Sequence, residues 1–263
     1  MKKVIAILLS AILPVCLVGC GKQDLVLDEA KTYEVTSEIH SLDIRINAAD
    51  FKIERGEDFS VVSNLKNLKV DAKDGCLTVI DSTKTKVELI HDTTYEDAML
   101  TVYVPDGTVF EAVRLETGAG RFTVDTLCAE TLDLEFGAGN VTVGTLVATR
   151  SVDIEGGAGS ISVSGGALND LELEMGVGEL NLTSTLSGDC QLNMGVGESN
   201  ITLIGNREDY DLAIKKGLGA ISVDGRDVSD FHNSGNGTAS VEISGGVGSI
   251  NVNFDAPKAG STS

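Results

Sequence analysis

One phrase, Gly-x-Gly-x-apolar-x-apolar, occurs seven times in the second half of the chain. The copies are GAGRFTV from Gly118, GAGNVTV from Gly137, GAGSISV from Gly157, GVGELNL from Gly176, GVGESNI from Gly195, GLGAISV from Gly217 and GVGSINV from Gly246. Their first glycines are separated by 19, 20, 19, 19, 22 and 29 residues. A period near 20 marks a solenoid, in which each repeat is one turn of chain that buries its apolar face only against its neighbours. The second glycines are Gly120, Gly139, Gly159, Gly178, Gly197, Gly219 and Gly248.

Within each repeat the apolar residues alternate as in strands. Pairs such as Val113/Leu115, Leu132/Leu134, Val152/Ile154 and Leu171/Leu173 precede the glycines. Phe122/Val124, Val141/Val143, Ile161/Val163 and Leu180/Leu182 follow them. A spacing of two puts both members of a pair on one face of a strand. The only departure in these columns is Ser199, in the Gly195 copy. The glycines supply backbone angles that a Cβ resists, so each coil reads as strand, glycine corner, strand and polar return. The residue between the glycines is apolar (Ala119, Ala138, Ala158, Val177, Val196, Leu218, Val247) and is expected to point inward. The fold class is all-β, with stacked coils forming parallel sheets around a narrow apolar core.

Two other solenoids fail on the residues. GGAGSISVS and GGVGSINVN resemble the calcium-binding nonapeptide, but Ile161 and Ile250 stand where its aspartate ligand belongs. A hexapeptide coil would repeat its apolar residues every six positions, and these columns do not.

The chain opens with Lys2 and Lys3, then an apolar run from Val4 to Val18 interrupted by Pro14. That run is short for a membrane span and suits an export signal. It ends in Leu17-Val18-Gly19-Cys20, which resembles the bacterial lipobox. The resemblance implies cleavage before Cys20 and a lipid on its sulfur; the alternative is an ordinary signal peptide. Several acyl chains on one cysteine anchor a protein without a spanning helix. Residues 1–19 then form the signal and 20–31 a lipidated tether. Residues 32–112 form irregular coils or a cap, 113–254 the regular coils and 255–263 a flexible tail.

Losing residues 1–19 removes two lysines and no acid, so 20 basic and 40 acidic residues become 18 and 40, and the formal charge moves from −20 to −22. Such a balance excludes nucleic acid as a partner. Cys76, Cys128 and Cys190 lack the spacing of a disulfide framework or a zinc site. Cys190 takes a core position and reads as a small buried hydrophobe. Two early segments copy the coil columns without the glycine pair. Leu42, Ile44, Phe51 and Ile53 form one such coil, and Leu68, Val70, Leu77 and Val79 a second. Residues 81–97 read as an excursion, and 99–104 as a strand closed by Pro105-Asp106-Gly107.

Together the lipobox, SLDIRINAADFKI, LTVYVP and the Gly-x-Gly ladder resemble the bacterial β-strand-repeat family labelled "putative adhesin", which includes Lia-type envelope proteins. The resemblance implies a right-handed parallel β-helix with coils of about 19–22 residues on the cell surface. It brings no catalytic residues with it. Its implied role is a lipid-anchored, extracytoplasmic, non-enzymatic binding or scaffold protein. The partners expected are the membrane through the anchor and an envelope protein, a cell-wall glycan or a cationic ligand.

Function would have to lie in the outward columns. Thr123, Thr142, Ser162, Asn181, Asn200, Ser222 and Asn251 form a ladder suited to hydrogen bonding along a sheet. On the other strand Asp133, Asp153 and Glu172 follow Arg114, and Glu116, Glu135, Glu155 and Glu174 run beside them. These seven carboxylates make an acidic wall, read as a solvated face that resists aggregation or as a weak cation site suited to Ca²⁺. No other cofactor is expected. The enzyme alternative is a polysaccharide-active β-helix, a glycoside hydrolase or lyase. It lacks support: there is no Trp, Tyr occurs four times, and His40, His91 and His232 fall in separate segments. Of the loop clusters, His91-Asp92 and Asp227…Asp230…His232 read as polar surface.

Overall fold

The computed structural model describes residues 27–82, 97–237 and 239–256. Cys20, His91, Asp92 and the expected tail beyond 256 lie outside the described residues. Thirteen strands make up one sheet system. In chain order they are β1 (Leu27–Glu34), β2 (Ser41–Gly56), β3 (Ser60–Leu65), β4 (Leu68–Lys73), β5 (Cys76–Asp81) and β6 (Met99–Pro105). Then come β7 (Phe110–Val163), β8 (Gly166–Asn169) and β9 (Leu171–Ile204). A 3₁₀ turn (Arg207–Asp209) precedes β10 (Tyr210–Val223), β11 (Arg226–Val228), β12 (Phe231–Asn233) and β13 (Ala239–Asp255). The 54 residues of β7 run through successive coils, with the strand continuing round the corners.

The architecture is a β-solenoid. Where β7 meets β9 the pairing is parallel and places Val152 beside Leu171, Ile154 beside Leu173, Gly159 beside Gly178 and Ile161 beside Leu180. Residues 41–53 form a coil of the same shape without glycines: Leu42 lies beside Val113, Phe51 beside Phe122 and Ile53 beside Val124. The paired columns are buried, with Leu173 and Leu192 fully inaccessible. Each fully buried aliphatic side chain contributes about 1.5–3 kcal/mol, so the repeated columns are the main source of cohesion.

Four expectations need correction. The return is not polar but a third strand, which buries Leu127, Ala129, Leu146, Ala148, Leu168 and Leu186. In this part of the stack β8 lies between the 146–148 and 185–187 segments. The core is therefore walled on three sides.

The second early coil is a hairpin. β4 pairs antiparallel with β5, with Lys73 opposite Cys76. Asp74 (φ 52°) and Gly75 (φ 77°) both take positive φ, the requirement of a two-residue type I′ turn. The rung beside β2 is assembled from two separate pieces, β5 against its first half and β6 against its second.

Third, the residue between the glycines points outward, not inward. Val177, Val196, Val247 and Leu218 are exposed. The corner interior is filled instead by the residue before the first glycine, namely Phe136, Met175 or Met194, all buried. Alternation counted forward from Leu173 puts Val177 inside; counted back from Leu180 it puts Val177 outside. The change of parity falls between Met175 and Val177, at Gly176, just ahead of Gly178, whose φ is 145°.

Fourth, the coils do not stack in chain order. β13 pairs with β9, Val241 beside Cys190 and Val252 beside Ile201. β10 pairs with the other side of β13, Leu212 beside Val241 and Val223 beside Val252. The last coil in sequence, the seventh, is thus inserted between the fifth and sixth glycine coils, and β10 ends the stack. The segment between β10 and β13 contains β11 and β12, which lie antiparallel on β10.

Arg207 fastens this inverted end. Its guanidinium lies over the rings of Phe231 and Phe254, 5.5 and 5.3 Å from their centroids. It also pairs with Asp224, whose carboxylate accepts the Phe254 amide at 3.2 Å. Tyr210 donates its hydroxyl to the Ile204 carbonyl at 2.6 Å. Arg207→Ala should cost about 1–2 kcal/mol, because two ring contacts and a half-exposed ion pair are lost together. Arg150→Ala, which removes only the exposed pair with Glu130, should cost under about 1 kcal/mol. Urea titration of both variants checks this, and equal midpoints would show that Arg207 fastens nothing.

Candidate functional site

The stacked coils turn each sequence column into a line of side chains on the surface. On the second strand this line is the polar ladder. Asn181 donates to Ser162 Oγ at 3.4 Å and Asn200 to Asn181 Oδ1 at 3.1 Å. Asn251 donates to Asn200 Oδ1 at 2.9 Å, which only the inverted coil order permits. The ladder's amides are occupied with one another and support the stack.

The acidic wall lies on the first strand. Asp153 sits beside Glu172, and Glu155 beside Glu174. The β2 coil extends the same columns, placing Asp43 beside Arg114 and Arg45 beside Glu116. Arg114 pairs with Asp133 at 3.3 Å and Arg45 with Asp43 at 2.8 Å. At the far end Lys215 pairs with Glu242 at 2.5 Å. Both ends of the wall are therefore compensated. Its middle, formed by Glu135, Asp153, Glu155, Glu172 and Glu174, has no ion pair among the described residues.

Burial raises the Asp153 pKa, and the charges of Asp133 and Glu174 add to the rise. For Glu155 the leading cause is the Asp153 charge, followed by burial, Glu135, Glu174 and Asp133. Asp153 resists ionisation chiefly through burial and Glu155 chiefly through neighbouring charges, which repeat at the coil spacing of about 4.8 Å. Among the described residues no three His, Cys, Asp or Glu side chains converge in a way that could hold a metal ion. The carboxylates form lines, not a cage.

Cys190 is buried in its core column, and its thiol lies 3.4 Å from the Ser187 carbonyl. His232 contacts Ser234 at 3.2 Å, on the short strands that cover β10. The glycine pairs sit where coil backbones touch. A Cβ on Gly178 would meet the Gly159 carbonyl oxygen at 1.8 Å, and one on Gly137 would meet the Gly118 oxygen at 2.3 Å. Only the second glycine of each pair also needs positive φ.

Two surface concavities accompany these columns. One, of about 420 Å³, lies between the wall and the corner, lined by Glu174, Met175, Asn193, Met194 and Gly245 among others. The other, of about 220 Å³, lies beside Arg55, Asp106, Phe110 and Cys128, with Arg55 held 3.4 Å from Asp106. Neither brings a nucleophile and a base together. The feature that sequence reasoning missed is the outward apolar ridge of Val177, Val196, Val247 and Leu218. Its signal was the Phe136, Met175 and Met194 column, which already fills the corner and leaves no room inside for a second residue.

The Toastrack DUF4097 pattern matches residues 31–254. The chain belongs to the Toastrack DUF4097 family. Among curated proteins nothing matches. Similar solved structures include an adhesin, labelled putative, from Parabacteroides distasonis, 14% identical over 85% of this chain and 95% of that one, with a TM-score of 0.42. Another so labelled, from Bacteroides fragilis, is 13% identical over 85% and 95%, with a TM-score of 0.41. A lipid-binding protein, also labelled putative, from Parabacteroides distasonis is 14% identical over 85% and 96%, with a TM-score of 0.33. Among the described residues of this Toastrack chain, no helix is long and apolar enough to cross a membrane.

The raised carboxyls fix a sign for the pH dependence of the wall. A group whose folded pKa lies above its ordinary value, 3.8 for Asp153 and 4.5 for Glu155, favours the fold when protonated. That contribution is complete below the ordinary value and is lost as pH rises through the raised one. Asp153→Asn should therefore stabilise the protein at pH 7 by up to about 1 kcal/mol, since the side chain is largely exposed and screened. The gain should vanish near pH 3.5. Thermal melts at both pH values check it; a variant that is neutral or less stable at pH 7 would show that the wall carries no net repulsion.

Proposed function

We propose that this Toastrack protein is a non-enzymatic binding or scaffold rod of the bacterial cell envelope, held outside the cytoplasm by lipid on Cys20. The carrying observation is that its distinctive side chains form lines along the stack. Ladder, wall and ridge each set side chains of one chemical kind in successive coils, an arrangement suited to contact with an extended surface. Acid–base or nucleophilic chemistry needs unlike groups converging on one point, and the described residues offer no such point. The solenoid is proposed to wind as a right-handed parallel β-helix, the sense that right-handed strand twist favours for parallel crossovers. The stack then stands as a rigid spacer whose height grows by about 4.8 Å per coil.

The anchor rests on the sequence Leu17-Val18-Gly19-Cys20 after a short apolar run. Partners on this reading are an envelope protein, a cell-wall glycan or a cationic ligand, reached across the acidic surface; Ca²⁺ would associate weakly along the wall without an enclosing site. Growth with a clickable palmitate analogue tests the anchor: label should enter the wild-type chain and be absent from Cys20→Ala. Retained label in that variant would remove the anchor. Affinity capture of the lipidated chain from its own membranes tests the role. Recovery of a membrane protein or wall glycan is expected, whereas turnover of a polysaccharide by the purified chain would contradict the non-enzymatic reading.

A further inference from the structure

The ridge departs from its surroundings in two ways. Its exposed side chains grow from Ala158 through Val177, Val196 and Val247 to Leu218, which is 74% accessible at the end of the stack. The register that orders them is Ala158 beside Val177, Val196 beside Val247, and Val247 beside Leu218. Exposed aliphatic side chains joined in one contiguous line, unlike singly scattered ones, mark a contact surface.

Charge along the ridge is also graded. Glu174, Glu179 and Glu198 flank its Val177–Val196 end, whereas Lys215, paired with Glu242 in its own chain, and Lys216 flank its Leu218 end. Glu174 and Lys215 occupy the same outward column, each two residues before the first glycine of its corner. Lys216 caps the last corner by donating to the Gly219 carbonyl at 2.9 Å, and no carboxylate among the described residues pairs with it. Beside the ridge lies the concavity of about 420 Å³, open because Gly245 and Gly246 carry no side chains there.

We propose that this ridge docks against the same ridge of a second copy of the chain, antiparallel, about a two-fold axis perpendicular to the stack. That operator reverses the coil order and returns each column to itself. Leu218 of one copy then meets Val177 of the other beside the open concavity, Val196 meets Val247, and Lys215 meets Glu174. The surface is self-complementary, as a two-fold contact requires. A parallel pairing, about an axis along the stack, would exchange the two flanks, set Glu179 against Glu174 of the other copy and leave both lysine ends together. A lipid surface suits the ridge less well, because the flanking glutamates would face the headgroups. The patch is small, so the dimer is of the weak class that depends on chain concentration. It goes beyond the anchored-rod reading and does not depend on Cys20.

Two full-length chains in mild non-ionic detergent, Val177→Cys and Leu218→Cys, test the register. Treatment with a short bismaleimide should yield a covalent dimer when the two are mixed, and little when each is treated alone or when wild type is treated. Sedimentation velocity should show a concentration-dependent dimer for wild type that is lost in Leu218→Glu and again in Val196→Glu. Both positions are exposed, and the variants' unchanged circular dichroism would show that folding is preserved. Equal cross-linking in the separate and mixed samples, no cross-linking in any, or a Leu218→Glu chain that sediments like wild type would overturn the proposal. So would capture of the unlipidated chain by phosphatidylcholine vesicles that Leu218→Glu abolishes, which would assign the ridge to lipid.

Discussion

The structure depends on how closely two corners can approach. At each Gly-x-Gly arch the carbonyl of one coil sits where the next coil would carry a Cβ. On Gly197 that atom would fall 1.7 Å from the Gly178 oxygen, and on Gly248 1.7 Å from the Gly197 oxygen. Contact of this kind fixes register, because sliding by one residue would drive a side chain into backbone. Once register is fixed, the strands on either side have no freedom, and every column becomes a line. Core leucines stack on core leucines, amides on amides and carboxylates on carboxylates. The stabilising lines and the strained one have the same geometric origin.

Much of this was legible in the chain. The repeat, the buried pairs and the outward polar ladder follow from a period of two broken by glycines every 20 residues or so. What was not legible has identifiable physical causes. The third strand hid because each coil contributes one large buried side chain there, Leu127, Leu146, Leu168 or Leu186, and alternate positions carry small side chains such as Ala129 and Ala148. The hairpin of β4 and β5 hid because Leu68, Val70, Leu77 and Val79 fit a coil or a hairpin equally; Asp74-Gly75, a two-residue turn, decides between them. The outward ridge hid because alternation changes parity at the first glycine of each corner, and parity counted from the preceding strand alone gives the wrong face.

The acidic wall shows the same mixture. Its seven carboxylates could be placed on one face from sequence, but their compensation could not. Arg45 and Asp43 belong to a coil without glycines, and Lys215 to a coil out of chain order. Once those coils are placed, the wall has neutralised ends and an uncompensated middle, and the raised pKa values fall on Asp153 and Glu155 in that middle. Coil order is a tertiary property: any Gly-x-Gly coil can seat on any other. Arg207, Asp224, Phe231 and Phe254 select one order by fastening the segment that carries β10 over β13.

That selection is the least local claim made for the molecule, and a disulfide pair tests it directly. Neighbouring rungs lie about 4.8 Å apart, within the Cα separation of about 4.4–6.8 Å that a disulfide spans. Rungs two apart, at about 9.6 Å, lie beyond it. Asn200→Cys/Asn251→Cys and Asn200→Cys/Ser222→Cys both place cysteines on the outward ladder, where neither disturbs the core. After mild oxidation, peptide mapping by mass spectrometry should find an intramolecular bridge between positions 200 and 251 and none between 200 and 222. A bridge between 200 and 222 in place of the first would mean that the coils stack in chain order, and the inverted end of the solenoid would be wrong.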